Sequence, residues 1–358
     1  MFVRLYLVTI IISNVHKVKG EMNMVKIAIV GAGFMGDTHA TAYENMENAV
    51  LMAVCDQNAE KGKALAEKFH CAHYADFNEM IAACELDMID ICLPTFLHEQ
   101  FVIQAATAGK HIICEKPVTL NVESLDRMLE AVDRNHVTMY VGQVVRFWPE
   151  YVEAKKLLEN GTLGELKSYY AARLSEHPAW SEWYRKVENS GGGLLDLHLH
   201  DIDYACYLFG KPEKVYAIGQ KNKYGSWNHV SSMLTFANGF SATIEGILEM
   251  PAGYPFTMQL RMAGSEKAFE YIMKAGKNLE DVASAGRAAY LYGDGESKKL
   301  PIQEKDAYTI ELQHFVNCID QNRVSEVLNM QQVREVLCTI RALNQSLEEK
   351  REVIVSYE

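Results

Sequence analysis

The feature that most constrains this fold is a glycine-rich hexapeptide that directly follows the apolar run Val25–Val30. Its spacing is G-x-G-x-x-G, and a helical pattern begins within it. Between a strand and a helix, such glycines permit a tight turn and let a pyrophosphate approach the N–H groups at the helix N-terminus. The pattern therefore predicts a dinucleotide-binding turn, whose cofactor-binding residues are Gly31, Gly33, Phe34, Met35 and Gly36.

An acidic residue indicates which dinucleotide is bound. Asp56 stands twenty residues after Gly36, at the end of the second predicted strand. A carboxylate there can accept hydrogen bonds from both ribose hydroxyls of NAD, and it would repel the 2′-phosphate of NADP. We therefore expect NAD rather than NADP as the cofactor. The alternative interpretation is a structural turn followed by a surface aspartate.

Residues 22–143 alternate short apolar runs with amphipathic stretches. Near-continuous apolar strands separated by helices are typical of a parallel sheet covered on both faces. These residues are therefore predicted to form an NAD-binding Rossmann domain. The predicted strands are Val25–Val30, Val50–Cys55, Met88–Leu93, His111–Cys114 and Val137–Val141, and the predicted helices are Gly36–Asn45, Ala59–Phe69, Phe77–Cys84, Glu99–Ala108 and Val122–Arg134.

Residues 144–358 have a different pattern, in which several strands follow one another and helices lie at the ends. This order favours an α+β domain with a large, mostly antiparallel open sheet, and the whole chain is then of the α/β class. The predicted strands are Leu166–Arg173, Lys214–Gln220, Val230–Phe236, Ser241–Glu249, Phe256–Met262, Ala268–Ile272 and Val353–Ser356. The predicted helices are Tyr151–Asn160, Leu194–Leu208, Tyr308–Ile319 and Met330–Glu349.

Composition excludes several classes of function. The chain has 35 Lys and Arg residues against 47 Asp and Glu, a net charge of −12, and no long basic run, so nucleic-acid binding is not expected. The eight cysteines are scattered without a Cys-x-x-Cys pair, which favours a reducing compartment.

The N-terminal segment faintly resembles the apolar core of a signal peptide. The apolar run Phe2–Ile12 is too short to span a bilayer, and the residues after it contain lysines and no Ala-x-Ala-like cleavage site. Residues 1–21 are therefore interpreted as an extension outside the fold. We expect a cytoplasmic protein without a membrane partner.

Lys116 lies in the tripeptide Glu115–Lys116–Pro117, at the end of the fourth predicted strand. Ligands of doubly wound sheets bind beyond the carboxyl ends of the strands. A lysine there could polarise a substrate oxygen and stabilise a developing alkoxide. By position alone, a solvated surface lysine is an equal alternative.

A triple glycine, Gly191–Gly193, precedes two further candidates, Asp196 and His200. On a continuous helix these two residues are four apart and project from one face. A histidine there can take a hydroxyl proton, and a carboxylate beside it can orient the ring. On a strand, His198 would join them as a set of metal ligands; since no fourth ligand recurs nearby, we predict no metal.

Together these motifs are specific. The chain resembles the glucose–fructose oxidoreductase / inositol dehydrogenase / rhizopine-catabolism (Gfo/Idh/MocA) family of NAD(P)-dependent oxidoreductases from Val25 to Glu358. The motifs that carry the resemblance are the glycine turn, Asp90–Ile–Cys–Leu–Pro94–Thr95 with His98, Ala108–Gly109–Lys110–His111, Glu115–Lys116–Pro117, Gly142 with Arg146–Phe147, and the triple glycine with Asp196 and His200.

The resemblance implies roles for matching residues. Lys116 and His200 match the family's catalytic lysine and histidine, and Asp196 matches the aspartate that accompanies them. The cofactor site is implied to include Pro94, Thr95, His98, Glu115 and Lys116, and the substrate site Lys116, Arg146, Trp183, Asp196 and His200. Trp183 belongs to a segment with Arg173 and Trp180 that could stack on a sugar or simply pack against the sheet. The open sheet commonly forms the oligomer interface in this family, so the resemblance implies a homodimer or homotetramer.

Two departures from the family pattern concern the substrate side. Many members have a Pro-Asn pair in the loop after the third strand, whereas this chain has Pro94–Thr95 followed by His98. His198 also stands where small or apolar residues are common. These departures bear on the identity of the substrate rather than on the class of reaction.

The predicted function is NAD-dependent oxidation of a secondary hydroxyl of a sugar, a sugar derivative or a cyclitol such as inositol. One alternative keeps the cofactor but processes a glycoside by transient oxidation at C3 followed by elimination. A second alternative is a non-catalytic regulator that binds NAD(H) and a partner protein. The combination of Lys116, Asp196 and His200 favours an enzyme over the regulator.

Overall fold

A computed structural model describes residues 24–177, 183–276, 286–303 and 305–358. The described chain divides into two compact units. The first consists of residues 24–118, Glu123–Gly142 and Asp306–Asn329, and the second of Thr119–Val122, Gln143–Lys305 and Met330–Glu358. Within the described residues, the structure has no helix with the length and apolar character that crossing a membrane requires.

The first unit contains a six-stranded, entirely parallel sheet of order β3-β2-β1-β4-β5-β6. Its strands are β1 (Val25–Val30), β2 (Ala49–Cys55), β3 (Ala72–Tyr74), β4 (Met88–Ile91), β5 (His111–Cys114) and β6 (Met139–Val141). The accompanying helices are α1 (Phe34–Glu44), α2 (Ala59–Lys68), α3 (Phe77–Ala83), α4 (His98–Thr107) and α5 (Val122–Arg134). This strand order is that of a Rossmann domain, which confirms the predicted fold.

The second unit contains a nine-stranded sheet of order β14-β13-β12-β11-β7-β10-β9-β8-β15. Its strands are β7 (Leu166–Leu174), β8 (Pro212–Lys221), β9 (Trp227–Phe236), β10 (Ser241–Ile247), β11 (Thr257–Gly264), β12 (Ala268–Lys274), β13 (Gly286–Gly293), β14 (Glu296–Lys299) and β15 (Val353–Ile354). The β7–β10 pair is parallel and the other neighbours are antiparallel, so the sheet is mostly antiparallel, as predicted.

Helices follow in the same chain order: α6 (Pro149–Glu159), α7 (Val187–Ser190), α8 (Gly192–Asp196), α9 (Leu199–Phe209), α10 (Ala307–Asp320) and α11 (Met330–Glu349). Short 3₁₀ turns occupy Thr95–Leu97, Val144–Phe147 and Trp183–Arg185. Helix α11 packs on the sheet of the second unit, where the Ala217 N–H donates to Ser346 Oγ at 2.9 Å.

Helix α10 belongs to the first unit, although the sequence analysis placed residues 144–358 together in the second domain. Its Phe315 ring stacks on Tyr140 of β6, with centroids 4.6 Å apart, and its Gln313 donates to Asn48 Oδ1 at 2.9 Å. The apolar side chains of Leu312, Phe315 and Val316 are fully buried. The packing of α10 therefore places it in the first unit, although it follows the second unit's strands in the chain.

The predicted helix Leu194–Leu208 is interrupted. Helix α8 ends at Asp196, and α9 begins at Leu199. The N–H groups of Leu197 and His198 both point to the Gly193 carbonyl, at 3.1 and 2.9 Å. The second of these bonds spans five residues, so the backbone here is wider than an α-helix. Asp196 and His200 therefore do not occupy the uninterrupted four-residue spacing that the sequence analysis assumed.

Candidate functional site

Two glycines of the dinucleotide turn are required by the backbone itself. Gly31 has a φ of +109°, and a Cβ atom at this position would lie 2.4 Å from the carbonyl oxygen of Cys92. At Gly36, a Cβ would lie 2.0 Å from the carbonyl oxygen of Gly31. The turn can therefore close against β4 only with glycine at both positions.

Gly33 has a different environment. It is exposed and precedes helix α1, and a Cβ built there would meet no atom within 4 Å. The first N–H groups of a helix lack intrahelical partners and attract anions. The space beside Gly33, together with exposed Phe34 and half-buried Met35, therefore fits the approach of a dinucleotide pyrophosphate.

Asp56 lies just after β2 and connects this turn to the next loop. Its Oδ2 accepts from the N–H of Ala32 at 2.7 Å, and its Oδ1 accepts from the N–H of Asn58 at 2.7 Å. Each carboxylate oxygen can accept more than one hydrogen bond, so these contacts leave acceptor capacity for ribose hydroxyls. The residues present thus fit NAD.

His98 is fully buried and holds two loops together. Its Nε2 lies 2.7 Å from the Leu93 carbonyl oxygen, and its Nδ1 lies 3.0 Å from that of Pro117. Burial lowers the pKa of His98 despite these carbonyl contacts. The structure therefore gives His98 a role in fixing the loops after β4 and β5, rather than an exposed position on the cofactor surface. In the first of these loops Pro94 is half-buried and Thr95 is buried.

Glu115 and Lys116 follow β5 directly. Glu115 is buried, whereas Lys116 is half-buried, and the Lys116 N–H donates to Glu115 Oε2 at 3.1 Å. The Lys116–Pro117 peptide bond is cis. Because β1 and β5 are parallel strands of one sheet, the glycine turn and Lys116 follow the same edge of that sheet.

A buried ionic cluster of His39, Asp90 and Glu115 lies in the same unit, and the sequence analysis missed it. His39 Nδ1 lies 2.8 Å from Asp90 Oδ2, and His39 Nε2 lies 3.1 Å from Glu115 Oε1. Tyr43 donates to Asp90 Oδ2 at 2.7 Å. Two signals could have indicated the cluster: a histidine three residues after Gly36 in a helix facing the sheet, and an aspartate inside the apolar strand β4.

The charge state of His39 follows from its neighbours. Burial by itself lowers the pKa of His39, but attraction from Asp90, with further contributions from Cys92 and from its hydrogen bonds, raises it well above the usual value. Cys92, His39 and Asp90 are also close enough to be considered as metal ligands. However, the 2.8 Å contact between His39 and Asp90 is shorter than the separation of about 3.3 Å between two ligands of one tetrahedral zinc. The geometry favours a hydrogen-bonded cluster.

In the second unit, the triple glycine fixes the approach to Asp196 and His200. Gly192 has a φ of +68°, and a Cβ there would lie 2.8 Å from Ser226 Cβ. The Gly193 N–H donates to buried Asn228 Oδ1 at 2.9 Å, a contact that sequence reasoning did not identify. Asp196 at the end of α8 is half-buried. His200 lies in the first turn of α9, and its relative solvent exposure is 7%.

His198 does not join Asp196 and His200 as a metal ligand. Its ring is buried against the sheet, with Nε2 2.8 Å from Ser232 Oγ. A Cβ at Gly246 would lie 2.4 Å from His198 Nδ1, so the absence of a side chain at this position leaves room for the His198 ring. Burial lowers the pKa of His198 to about 3. The alternative with three metal ligands on a strand is therefore wrong, because these residues are not on a strand and His198 faces the core.

Arg146, which the sequence analysis assigns to the substrate site, lies in a buried ion pair. Its side chain is fully buried and forms a bidentate pair with Asp203, at 2.9 Å and 2.7 Å, and it donates to Gln332 at 2.6 Å. Arg173 forms a similar buried pair with Asp201. Both guanidinium groups are therefore buried and paired with carboxylates. Trp183 is half-buried in its 3₁₀ turn, and Trp180 lies outside the described residues.

Comparisons with known proteins agree with this geometry. Residues 25–143 match the model of an oxidoreductase family with an NAD-binding Rossmann fold (GFO_IDH_MocA), and residues 151–270 match the GFO/IDH/MocA C-terminal domain. The chain is 29% identical to myo-inositol 2-dehydrogenase of Thermotoga maritima over 339 residues, which covers 92% of this chain and 98% of that protein.

Two further comparisons differ in their extent. A 2,7-anhydro-N-acetylneuraminate hydratase of Escherichia coli is 30% identical over 202 residues, covering 55% of this chain and 53% of that protein. A crystal structure of aldose-aldose oxidoreductase from Caulobacter crescentus shares the fold with a TM-score of 0.81 at 23% identity, covering 93% of this chain and 100% of that chain. With its Rossmann unit, its glycine turn and both matched domains, the chain belongs to the Gfo/Idh/MocA family of NAD-binding oxidoreductases.

Proposed function

We propose that this enzyme oxidises a secondary hydroxyl of a sugar, a sugar derivative or a cyclitol. The observation that carries the proposal is that Lys116 and the glycine turn follow parallel strands at one edge of the same sheet. Likeness to myo-inositol 2-dehydrogenase over nearly the whole chain supports a polyol as the substrate class.

In the proposed mechanism, the glycine turn and Asp56 hold NAD, which when bound accepts a hydride at C4 of its nicotinamide. The ammonium of Lys116 donates a hydrogen bond to the substrate oxygen and stabilises negative charge as it develops there. His200 removes the hydroxyl proton through its imidazole, and Asp196 orients that ring or accepts from a neighbouring substrate hydroxyl. Trp183 offers an indole face to the C–H groups of the substrate.

The test is NADH formation, followed by absorbance, against a panel of cyclitols, aldoses, sugar nucleotides and aryl glycosides. We expect NADH to accumulate with one polyol class and to be lost in His200→Ala. Lys116→Ala should also abolish turnover while leaving NADH binding measurable by fluorescence. A Lys116→Ala variant that turns over normally would contradict the assigned role.

A redox-neutral reaction is the second candidate, and the similarity to a hydratase over about half of the chain favours it. In this route the oxidised carbon acidifies a neighbouring C–H, a group is eliminated, and the hydride returns. Release of an aglycone or of water without net NADH would move the assignment to this route.

We further propose that the enzyme is a cytoplasmic homodimer or homotetramer that associates through its open sheet. Tyr216, Ile218, Met233 and Tyr292 are exposed on strands of this sheet. All eight cysteines are free thiols, which fits a reducing compartment. Light scattering of the wild type and of Ile218→Asp tests the assembly, and a wild type that is monomeric throughout would exclude it; cell fractionation tests the location.

A further inference from the structure

The buried ionic cluster defined above occupies a position between the cofactor-binding turn and the proposed catalytic lysine. His39 lies on α1, the helix that begins after Gly33, and Asp90 lies on β4. Glu115 ends β5, and its second carboxylate oxygen accepts from the Lys116 N–H. One buried ring therefore connects three successive parts of the dinucleotide-binding unit.

We infer that His39, as an imidazolium, is a positioning residue that acts through Glu115 to hold the backbone of Lys116. This inference rests on the proposed role of Lys116. The two contacts of the His39 ring, to Asp90 Oδ2 and to Glu115 Oε1, use both nitrogens. Nδ1 forms a hydrogen bond, whereas the Nε2 contact lacks hydrogen-bond geometry and is an ion pair when the ring is protonated.

Glu115 has little freedom to adopt another arrangement. A Cβ at Gly142 would lie 2.7 Å from Glu115 Oε1, so the backbone after β6 closes one side of the carboxylate. His39 contacts this same oxygen, and the Lys116 N–H contacts the other. The carboxylate orientation is therefore defined by three neighbours.

The remaining groups around His39 either carry negative charge or are neutral. Tyr43 and Cys92 adjoin Asp90, and Tyr308 of α10 lies with its ring centroid 6.2 Å from that of His39. Glu311 of α10 is fully buried and interacts electrostatically with Tyr43 and Tyr308. Among these named groups, His39 is the only cation. Without its charge, the buried carboxylates of Asp90 and Glu115 repel each other, and Glu115 is displaced from its position as acceptor for the Lys116 N–H.

The test compares His39→Gln with the charge-balanced double variant His39→Gln, Asp90→Asn. In His39→Gln we expect the Lys116 amide to exchange hydrogen at least about tenfold faster near neutral pH, and kcat to fall about a hundredfold, the scale of a misplaced catalytic group. The double variant removes the competing carboxylate and should regain most of the amide protection and of kcat.

Tyr43→Phe is the matched control, because it removes a buried hydrogen bond on the Asp90 side and should lower stability without changing the exchange of the Lys116 amide. The inference is overturned if His39→Gln keeps the wild-type amide exchange and kcat, or if the double variant is as impaired as the single one. If His39→Gln does not fold, the double variant alone decides by the same two readouts. If the wild type oxidises no substrate, the proposed function fails, and the exchange of the Lys116 amide decides the inference by itself.

Discussion

The Oδ2 atom of Asp56 accepts a hydrogen bond of 2.7 Å from the N–H of Ala32, inside the glycine turn. The residue expected to choose NAD over NADP therefore also holds the turn that receives the pyrophosphate. Its second oxygen caps the following loop through the Asn58 N–H. Charge and geometry at this position thus act together on the cofactor.

Replacement of Asp56 by Asn should weaken NAD binding and reduce the discrimination against NADP. The variant keeps an acceptor for the turn but loses the charge that repels a 2′-phosphate. A hydrogen bond to a charged group contributes about 1.5–3 kcal/mol, so we expect NAD affinity to fall about tenfold or more. Titration with NADH and NADPH by fluorescence measures both effects.

Asn58→Ala is the control for that variant. Asn58 caps α2 by accepting from the N–H groups of Glu60 and Lys61, and it does so without a role in cofactor choice. Its loss should cost about 1 kcal/mol of stability and leave the NAD to NADP ratio unchanged. An equal change in that ratio in both variants would mean that loop order, rather than charge, sets the preference.

Two glycine substitutions should separate folding from cofactor binding. In Gly33→Ala, the new methyl group meets no protein atom, so stability should stay within about 0.5 kcal/mol of wild type. NAD affinity should fall by about tenfold, or about 1.4 kcal/mol, because the methyl occupies the proposed path of the pyrophosphate.

Gly36→Ala should behave in the opposite way. Its Cβ would lie 2.0 Å from a backbone oxygen, and such overpacking costs about 2–3 kcal/mol. Urea unfolding and NADH titration of both variants check the prediction. A Gly33→Ala protein that binds NADH like the wild type would place the pyrophosphate elsewhere.

His198 should make the protein sensitive to acid. Its pKa is lowered to about 3 by burial, against about 6.5 in the unfolded chain. Between these values the unfolded state binds the additional proton, so the stabilisation present above pH 6.5 is lost as pH falls toward 3. At pH 4.5 this loss amounts to about 2–3 kcal/mol.

His198→Gln should remove this part of the acid sensitivity. The measurement is the free energy of unfolding in urea at pH 7 and at pH 4.5, for wild type and variant. The change in the free energy of unfolding between the two pH values should be smaller in the variant by about 2–3 kcal/mol. Identical differences would show that His198 is protonated in the folded protein.

Much of the first unit could be predicted because its strands are continuous apolar runs with helical patterns between them. β1, β5 and α5 have the predicted bounds. β3 was missed because it has only three residues, one of them His73, and none is fully buried. β13 and β14 were missed because an edge strand such as Glu296–Lys299, exposed along its whole length, has no apolar alternation.

Candidate site residues could be predicted only where they belong to a local sequence motif. The glycine turn, Asp56 and Glu115–Lys116 follow strands, and strand ends can be recognised in the sequence. The cluster around His39 could not be assembled in this way, because its members come from separate segments near residues 39, 90 and 115. The break between α8 and α9 has no glycine or proline at Leu197 or His198, and it accompanies the burial of His198 against Ser232.

The last prediction concerns Arg146, which the resemblance placed in the substrate site and the structure places in the core. Arg146→Met leaves Asp203 as a buried carboxylate without its bidentate partner, and breaking such a pair costs about 3–5 kcal/mol. Adding Asp203→Leu removes that carboxylate, so the double variant should recover most of the lost stability. Since both side chains are buried in this pair, the KM of the folded double variant should remain close to that of the wild type. Thermal unfolding and steady-state kinetics test both statements. A large rise in KM in the double variant, with stability preserved, would support a role of Arg146 in substrate binding.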